Sequence, residues 1–295
     1  MRRTSPLASW SALVLGAAAA ATTSWALACA LPEARAGGAI DAPPRVVSLS
    51  PAVTETLFAI GAGEAVVGVS DYCVTPPDAA PRPRVGTSLG PSYEPIAALR
   101  PSLVVTSSTP AARLDGLRAL APTRQLDWLT VTEVAASTRE LGVLAGRPDA
   151  AAALAERLEA TLNVPPPAGA PRLLLVLGGA QAQAEIWYVK ANSIHGSALT
   201  AAGAANAVPE PVEGAPVMSL ERLLAVDPDL VVVLGGGDVG TASTLEALRR
   251  LTALTAVRRE RLGALPDPGL LIPGPRVLEL VEVLSRWIAA QAGTP

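Results

Sequence analysis

The residues best suited to chemistry are two glutamates in a segment that occurs twice. Residues 92–105 (SYEPIAALRPSLVV) and 219–233 (SLERLLAVDPDLVVV) align at a constant offset of 127 residues, which pairs Glu94 with Glu221. A serine followed by an acid is typical of the first turn of a capped helix, where the helix dipole favours a negative charge. That structural role is sufficient to explain either glutamate by itself, but it does not explain why both copies carry one. The repetition leaves open a second role, in which two matching carboxylates meet two arginines on a twofold partner.

A glycine-rich stretch raises the possibility of a dinucleotide site. Residues 235–240 (GGGDVG) match the G-x-G-x-x-G pattern, a hydrophobic run precedes them, and Glu260 follows where an acid would bind the ribose. The next predicted helix begins only at Leu245, however, and no following strand is evident. A flexible loop at the edge of a sheet is therefore favoured, and an NAD-dependent enzyme stays the remote alternative.

Two further patterns are weak signals of catalysis or metal binding. Residues 86–90 (GTSLG) match the G-x-S-x-G nucleophile elbow, but prolines flank them where the elbow needs a strand and a helix. A triad around Ser88 would have to use His195, the only histidine. One histidine, with Cys73 as the single cysteine beyond the N-terminal segment, cannot build an ordinary zinc or manganese site. We expect no catalytic residue and no directly bound metal ion, although a metal in its own chelator needs fewer protein ligands.

Aromatic side chains would suit a ligand of that kind. Aromatic residues make up 3% of the chain and include one phenylalanine, so the core is expected to be aliphatic. The candidate ligand contacts are Tyr72, Tyr93, Trp128, Trp187 and Tyr188. Tyr72 follows a predicted strand, at the end where α/β proteins bind ligands. Packing at the edge of a sheet is the alternative for each of them.

Strands and helices alternate along the chain, which favours parallel sheets in an α/β fold. Ser50 and Pro51 follow a β-branched run, as an N-cap serine and a first-turn proline of the next helix. Hydrophobic strands are predicted at residues 45–50, 65–70, 103–106 and 172–177.

A long helix separates the two copies of the repeat. Residues 149–162 are rich in alanine and leucine and contain no glycine or proline, so they favour a helix. The sequence therefore predicts an N-terminal lobe at 45–146, a bridging helix at 147–164 and a C-terminal lobe at 171–295. A ligand cleft is expected between the lobes.

The N-terminal residues have the features of an export signal. Arg2 and Arg3 precede an apolar run and then small residues. The signal peptide is predicted to cover residues 1–36, or to end before Cys29, which would then carry a lipid anchor. The predicted location is the periplasm. The net charge of −3, with no basic stripe, argues against a nucleic-acid partner.

Together these segments resemble the binding proteins of ABC importers for cobalamin and ferric siderophores. The resemblance covers residues 45–287 and is carried by RVVSLSPAVTETLFAIGAGEAVVGVSDYC, WYVKANSIHGSALTAAGAANAV, PGPRVLEL and both repeated segments. It implies two Rossmann-like α/β lobes bridged by one long backbone helix. It also implies a monomer without catalytic activity that delivers its ligand to an inner-membrane permease dimer with ATPase subunits. In the family one surface glutamate per lobe docks onto permease arginines, and Glu94 and Glu221 match those positions.

The resemblance is closest to the cobalamin-binding members. Tyr72 and Trp187 match aromatic positions of their cleft, whereas Ser88 and Ser107 stand where those members carry tryptophan. The tyrosine that haem-binding members use near position 88 is absent. Cobalamin or a related corrinoid is therefore the expected ligand, with a ferric siderophore or haem as the alternative. The expected ligand-binding residues are Ser50, Pro51, Tyr72, Ser88, Ser107, Trp187 and Arg276, the last of which either faces an anionic ligand group or caps the sheet.

Overall fold

Each copy of the repeat contributes to its own parallel sheet, one in the N-terminal lobe (lobe 1) and one in the C-terminal lobe (lobe 2). The computed structural model describes residues 44–179 and 185–292, so the predicted signal peptide and Cys29 lie outside the described residues. The sheet of lobe 1 has the strand order β2-β1-β3-β4, with β1 Val46–Ser48, β2 Val66–Val69, β3 Leu103–Thr106 and β4 Thr123–Gln125. The sheet of lobe 2 has the order β10-β9-β5-β7, with β5 Arg172–Leu177, β7 Ala205–Asn206, β9 Leu230–Leu234 and β10 Leu262–Leu265. The expected α/β fold with two sheets is confirmed.

Helices connect the strands of each sheet. In lobe 1 they are α1 Pro51–Ala59, α2 Tyr93–Ala98, α3 Ala111–Arg118 and α4 Val131–Leu144. After the bridging helix α5 Pro148–Leu162, lobe 2 contains α6 Ile194–Ala201, α7 Leu220–Val226, α8 Gly237–Arg249, α9 Thr255–Arg258 and α10 Val277–Ala292. Pro51 occupies the first turn of α1 after Ser50, as the sequence predicts, but the Ser50 side chain makes no capping bond within the described part of the chain.

The bridging helix α5 is held tightly between the lobes. It packs against α4 of lobe 1 and α6 of lobe 2. The Arg139 guanidinium donates two hydrogen bonds to the Glu159 carboxylate, of 2.9 and 2.6 Å. Gly142 lets the helices approach, because a Cβ there would strike that of Ala151. A single hydrophobic cluster runs from Val46 in β1 through α5 to Ile288 in α10, so the two lobes share a core.

Two local predictions were wrong. The segment near Trp187 forms β6 (Glu185–Trp187), which pairs antiparallel with β8 (Val217–Ser219), although only parallel pairing was expected. Helix α8 begins at Gly237 rather than at Leu245 and leads into β10, so the strand that the sequence did not reveal is present. Glycine and threonine have weak helix propensity, and packing on β9 and β10 overrides it here.

Among residues 44–179 and 185–292, the hydrophobic helices are all too short or too polar to cross a lipid bilayer.

Candidate functional site

A cavity of about 260 Å³, called the cleft cavity below, lies where lobe 1 faces lobe 2. Its lobe 1 wall comes from loops that follow parallel strands at their carboxyl ends, which is where α/β folds place ligand sites. Its lobe 2 wall is the segment before α10. The lining residues are Ser50, Pro51, Ala52, Ser107, Trp128, Leu271, Ile272 and Pro273. The structure therefore brings together three of the sequence-predicted ligand residues, namely Ser50, Pro51 and Ser107.

Trp128 is the largest side chain of this cavity. It follows β4 and is 6% exposed, and its indole Nε1 has no hydrogen-bond partner among the described residues. The sequence marked Trp128 as a candidate aromatic without placing it in the site, because its strand shows only a weak hydrophobic pattern. Leu271, Ile272 and Pro273 carry no chemical signal in the sequence, and only the tertiary structure brings them to the cavity.

Tyr72 and Ser88 lie outside the cleft cavity, on two neighbouring loops of lobe 1. The loops are joined by a hydrogen bond of 2.9 Å from the Asp71 amide to the Gly86 carbonyl. The Tyr72 side chain is 69% exposed, and Leu89 beside Ser88 is 66% exposed. The exposed side chains of Tyr72 and Leu89 on these loops form an apolar surface beyond the carboxyl end of β2, called the lip below. Trp187 is partly buried in the antiparallel pair of lobe 2, where it faces Val217 across the ribbon.

Arg276 lies in a different environment from the one expected of an anion-binding residue. Its guanidinium is 2.6 Å from the Asp267 carboxylate, 3.4 Å from Glu279 and 3.9 Å from Glu55. These carboxylates raise the pKa of Arg276 further, although burial opposes them. Its charge is therefore balanced by the protein itself, and its side chain is absent from the cleft cavity wall.

The two repeated glutamates are exposed at equivalent places. Glu94 lies in the first turn of α2, which leads into β3, and Glu221 lies in the first turn of α7, which leads into β9. Hydrogen bonds from the Ser219 hydroxyl and from the backbone lower the pKa of Glu221, so its carboxylate is ionised at neutral pH. The equivalent serine, Ser92, makes no capping bond in the part of the chain described.

The glycine-rich loop has the strand–loop–helix–strand setting of a dinucleotide site, but its glycines serve packing. A Cβ on Gly236 would lie 2.6 Å from the backbone of Gly178, and one on Gly240 would lie 3.0 Å from Gly179. The loop thus closes on a neighbouring backbone segment that fills the space beside it. The φ of +85° at Gly236 also favours glycine without any ligand.

The serine-elbow pattern forms a tight turn instead of an elbow. The Thr87 amide donates to the Gly90 carbonyl at 3.1 Å, and the chain continues into an extended segment before α2. The partly buried His195 bonds the Leu270 carbonyl through Nε2 at 3.1 Å. Burial lowers the pKa of His195 to about 4, so its ring is neutral at pH 7.

Comparison with known proteins places these features in a family. Residues 46–268 match the model of the family described as periplasmic binding protein. The chain is 32% identical over 200 residues to the vitamin B12-binding protein of Salmonella typhimurium, covering 66% of this chain and 73% of that one. A periplasmic haem-binding protein of Pseudomonas aeruginosa shares 28% identity with a TM-score of 0.70, over 86% of this chain and 95% of that one. The periplasmic vitamin B12-binding protein of Vibrio cholerae has the same fold, with 23% identity and a TM-score of 0.67 over 85% and 99% of the chains.

Proposed function

The chain belongs to the periplasmic binding protein family, and we propose that it captures cobalamin or a related corrinoid for an ABC importer. Members of this family are substrate-binding proteins of ABC importers, and they work with permease and ATPase components. In this proposal residues 1–36 direct export to the periplasm, or cleavage before Cys29 leaves that cysteine as the lipid attachment point, and a single copy of the protein carries the ligand.

The observation that carries the choice of ligand is the 32% identity with a vitamin B12-binding protein. The cleft cavity of about 260 Å³ is smaller than the ligand pockets of about 300–1,000 Å³ that are typical of proteins. A corrinoid would therefore insert one edge between Ser107 and Trp128. The rest of the ring would lie on the exposed lip formed by Tyr72 and Leu89.

Haem is the second candidate, favoured by the 28% identity with a haem-binding protein. Haem iron takes a protein ligand such as histidine, cysteine, methionine or tyrosine. His195 Nε2 is bonded to the Leu270 carbonyl, and the Ser88 hydroxyl is not among these ligand types. Within the described residues, Tyr72 is the exposed tyrosine of this lip, so we expect haem binding to use its phenol oxygen. This arrangement favours a corrinoid, which arrives with its metal already chelated.

Direct titration tests the ligand. The purified mature chain is titrated with cyanocobalamin, haemin and a ferric hydroxamate siderophore, and quenching of tryptophan fluorescence is followed. We expect saturable quenching by cyanocobalamin at the lowest concentration. Tighter binding of haemin or of the siderophore would keep the importer role and replace the ligand, and no binding of any of the three would contradict the proposed function.

Two adjacent serines provide a matched pair of variants for the site. Ser107 lines the cleft cavity, whereas Ser108 is exposed and does not. Ser107→Glu places a carboxylate between Trp128 and Ile272, where burying a charge is costly. We expect its cyanocobalamin affinity to fall at least tenfold, while Ser108→Glu keeps the wild-type affinity. Equal affinities in both variants would exclude the cleft cavity as the binding site.

A further inference from the structure

A second cavity, called the lateral cavity below, opens between the lobes beside α1. Its volume is about 520 Å³, and it is lined by Glu55, Phe58, Ala59, Thr75, Pro76, Pro77, Asp78, Pro275 and Arg276. The two cavities share no lining residue. Between them the lobes touch, because a Cβ on Gly274 would lie 3.7 Å from the Ala52 backbone. The lateral cavity is therefore separate from the proposed corrinoid site.

A buried carboxylate forms part of its wall. The Glu55 side chain is 4% exposed. Its Oε1 accepts a hydrogen bond from the Thr75 hydroxyl and lies 3.9 Å from Arg276 Nη1. Its Oε2 has no hydrogen-bond partner within residues 44–179 and 185–292. Leaving a buried acceptor unpaired destabilises the folded state, and it does so more strongly for a charged group. A ligand that donates a hydrogen bond to Oε2 would remove that destabilisation.

The charges around the cavity favour a cation. Arg276 is the only basic residue in the wall, and its charge is balanced by Asp267 and Glu279 behind it. Asp78 lies exposed at the rim and makes no ion pair within the described ranges. Glu55 in the wall and Asp78 at the rim thus leave an acidic excess around the cavity. Burial raises the pKa of Glu55, and a cation bound beside it would favour the ionised form again.

The remaining lining specifies the rest of the ligand. Phe58, Ala59 and three prolines present apolar surface, and an aromatic ring such as Phe58 also attracts a cation that approaches its face. An ammonium group has three donors and no acceptor, which suits an unpaired carboxylate oxygen. A small ammonium ion with an apolar body therefore matches both the polar and the apolar parts of the wall.

We propose that the lateral cavity is a second ligand site, in which the Glu55 carboxylate binds the ammonium group of a small organic amine and the apolar wall binds its hydrocarbon part. Such a ligand contacts residues 75–78 of lobe 1 and Arg276 of lobe 2. It therefore stabilises the observed arrangement of the lobes by mass action. This proposal does not rest on the proposed corrinoid site.

Three isosteric probes test the charge requirement. Benzylamine, benzyl alcohol and benzoate are titrated into the purified mature chain, and binding is followed by calorimetry and by amide chemical shifts at Phe58 and Thr75. We expect benzylamine to bind at least tenfold more tightly than benzyl alcohol and benzoate not to bind. Equal binding of the amine and the alcohol would overturn the proposal, as would failure of benzylamine to bind.

Variants identify the carboxylate that is responsible. Glu55→Gln keeps the shape and is expected to weaken benzylamine binding at least tenfold, and Asp78→Asn at the exposed rim is expected to weaken it severalfold. Glu282→Gln, an exposed change on α10 away from the cavity, is the matched control with unchanged affinity. Wild-type benzylamine affinity in both Glu55→Gln and Asp78→Asn would contradict the assignment. A parallel cyanocobalamin titration separates the two proposals, because failure at either site leaves binding at the other unaffected.

Discussion

Individual side chains in this protein acquire their roles from burial more than from their residue type. Arg276 carries the charge that an anionic ligand would need, yet three carboxylates surround it. Glu55 gave no functional signal in the sequence, yet it is a buried carboxylate with an unpaired oxygen. Ser50, Pro51 and Ser107 line the cleft cavity together, because residues that follow parallel strands share one edge of the sheet, and their role in ligand binding stays a prediction.

His195 gives a prediction at this scale. Its pKa is about 4 in the folded chain and about 6.5 when unfolded, so the unfolded state takes up the proton first as the pH falls. The stability that the neutral ring provides is present above about pH 6.5 and is lost progressively towards pH 4. Between pH 7.5 and pH 5, we expect the free energy of unfolding of the wild type to fall by about 2 kcal/mol more than that of His195→Gln. Urea denaturation of both proteins at the two pH values measures the difference, and parallel losses would refute the assigned shift.

At the scale of elements, the repeated helices α2 and α7 both begin after a serine that is followed two residues later by a glutamate, but in the residues that the structure describes only α7 is capped by its serine side chain. The Ser219 hydroxyl accepts a hydrogen bond of 3.3 Å from the Arg222 amide, whereas Ser92 makes no equivalent bond within the described chain. The difference follows from the backbone, since ψ is 166° at Ser219 and 99° at Ser92. The sequence determines that a helix begins after each serine, and the preceding loop determines whether the hydroxyl reaches the amide.

The two serines therefore form a matched pair of variants. Ser219→Ala should lower the free energy of unfolding by about 1 kcal/mol, the usual cost of losing an N-cap. Ser92→Ala should change it by less than about 0.5 kcal/mol, as expected for a surface change without a lost bond. Urea midpoints of the two variants provide the comparison. Equal losses would mean that Ser92 also caps its helix in solution.

At the scale of the whole molecule, the two repeated glutamates lie in the first turns of equivalent helices, on two lobes that share one core. The core runs through α5, and the Arg139–Glu159 pair fastens α5 to α4. Such a scaffold would hold Glu94 and Glu221 at a fixed separation for a twofold permease. An exposed ion pair contributes only about 0–1 kcal/mol, so docking requires both pairs together with complementary shape.

We therefore expect Glu94→Ala combined with Glu221→Ala to abolish uptake while leaving cyanocobalamin affinity unchanged. Uptake is measured in cells that depend on this protein, and affinity is measured on the purified variant. Glu156→Ala combined with Glu282→Ala removes the same charge from exposed helix positions and should transport normally. Normal uptake by the Glu94/Glu221 variant would show that docking uses another surface.

The sequence by itself determined the α/β class, the two sheets, the bridging helix and the family resemblance. These features depend on hydrophobic periodicity, on Ser-Pro and glycine residues at the ends of helices and on an internal repeat. All of these are visible in the sequence without knowledge of tertiary contacts. It missed the start of α8 at Gly237, because glycines that are poor helix formers are placed there by packing against Gly178 and Gly179. It also missed the convergence of Trp128 with Leu271 and of Glu55 with Arg276, because these residues are far apart in the chain. Only the packing of the lobes around α5 brings them together, and that packing decides which polar groups are paired and which remain free for a ligand.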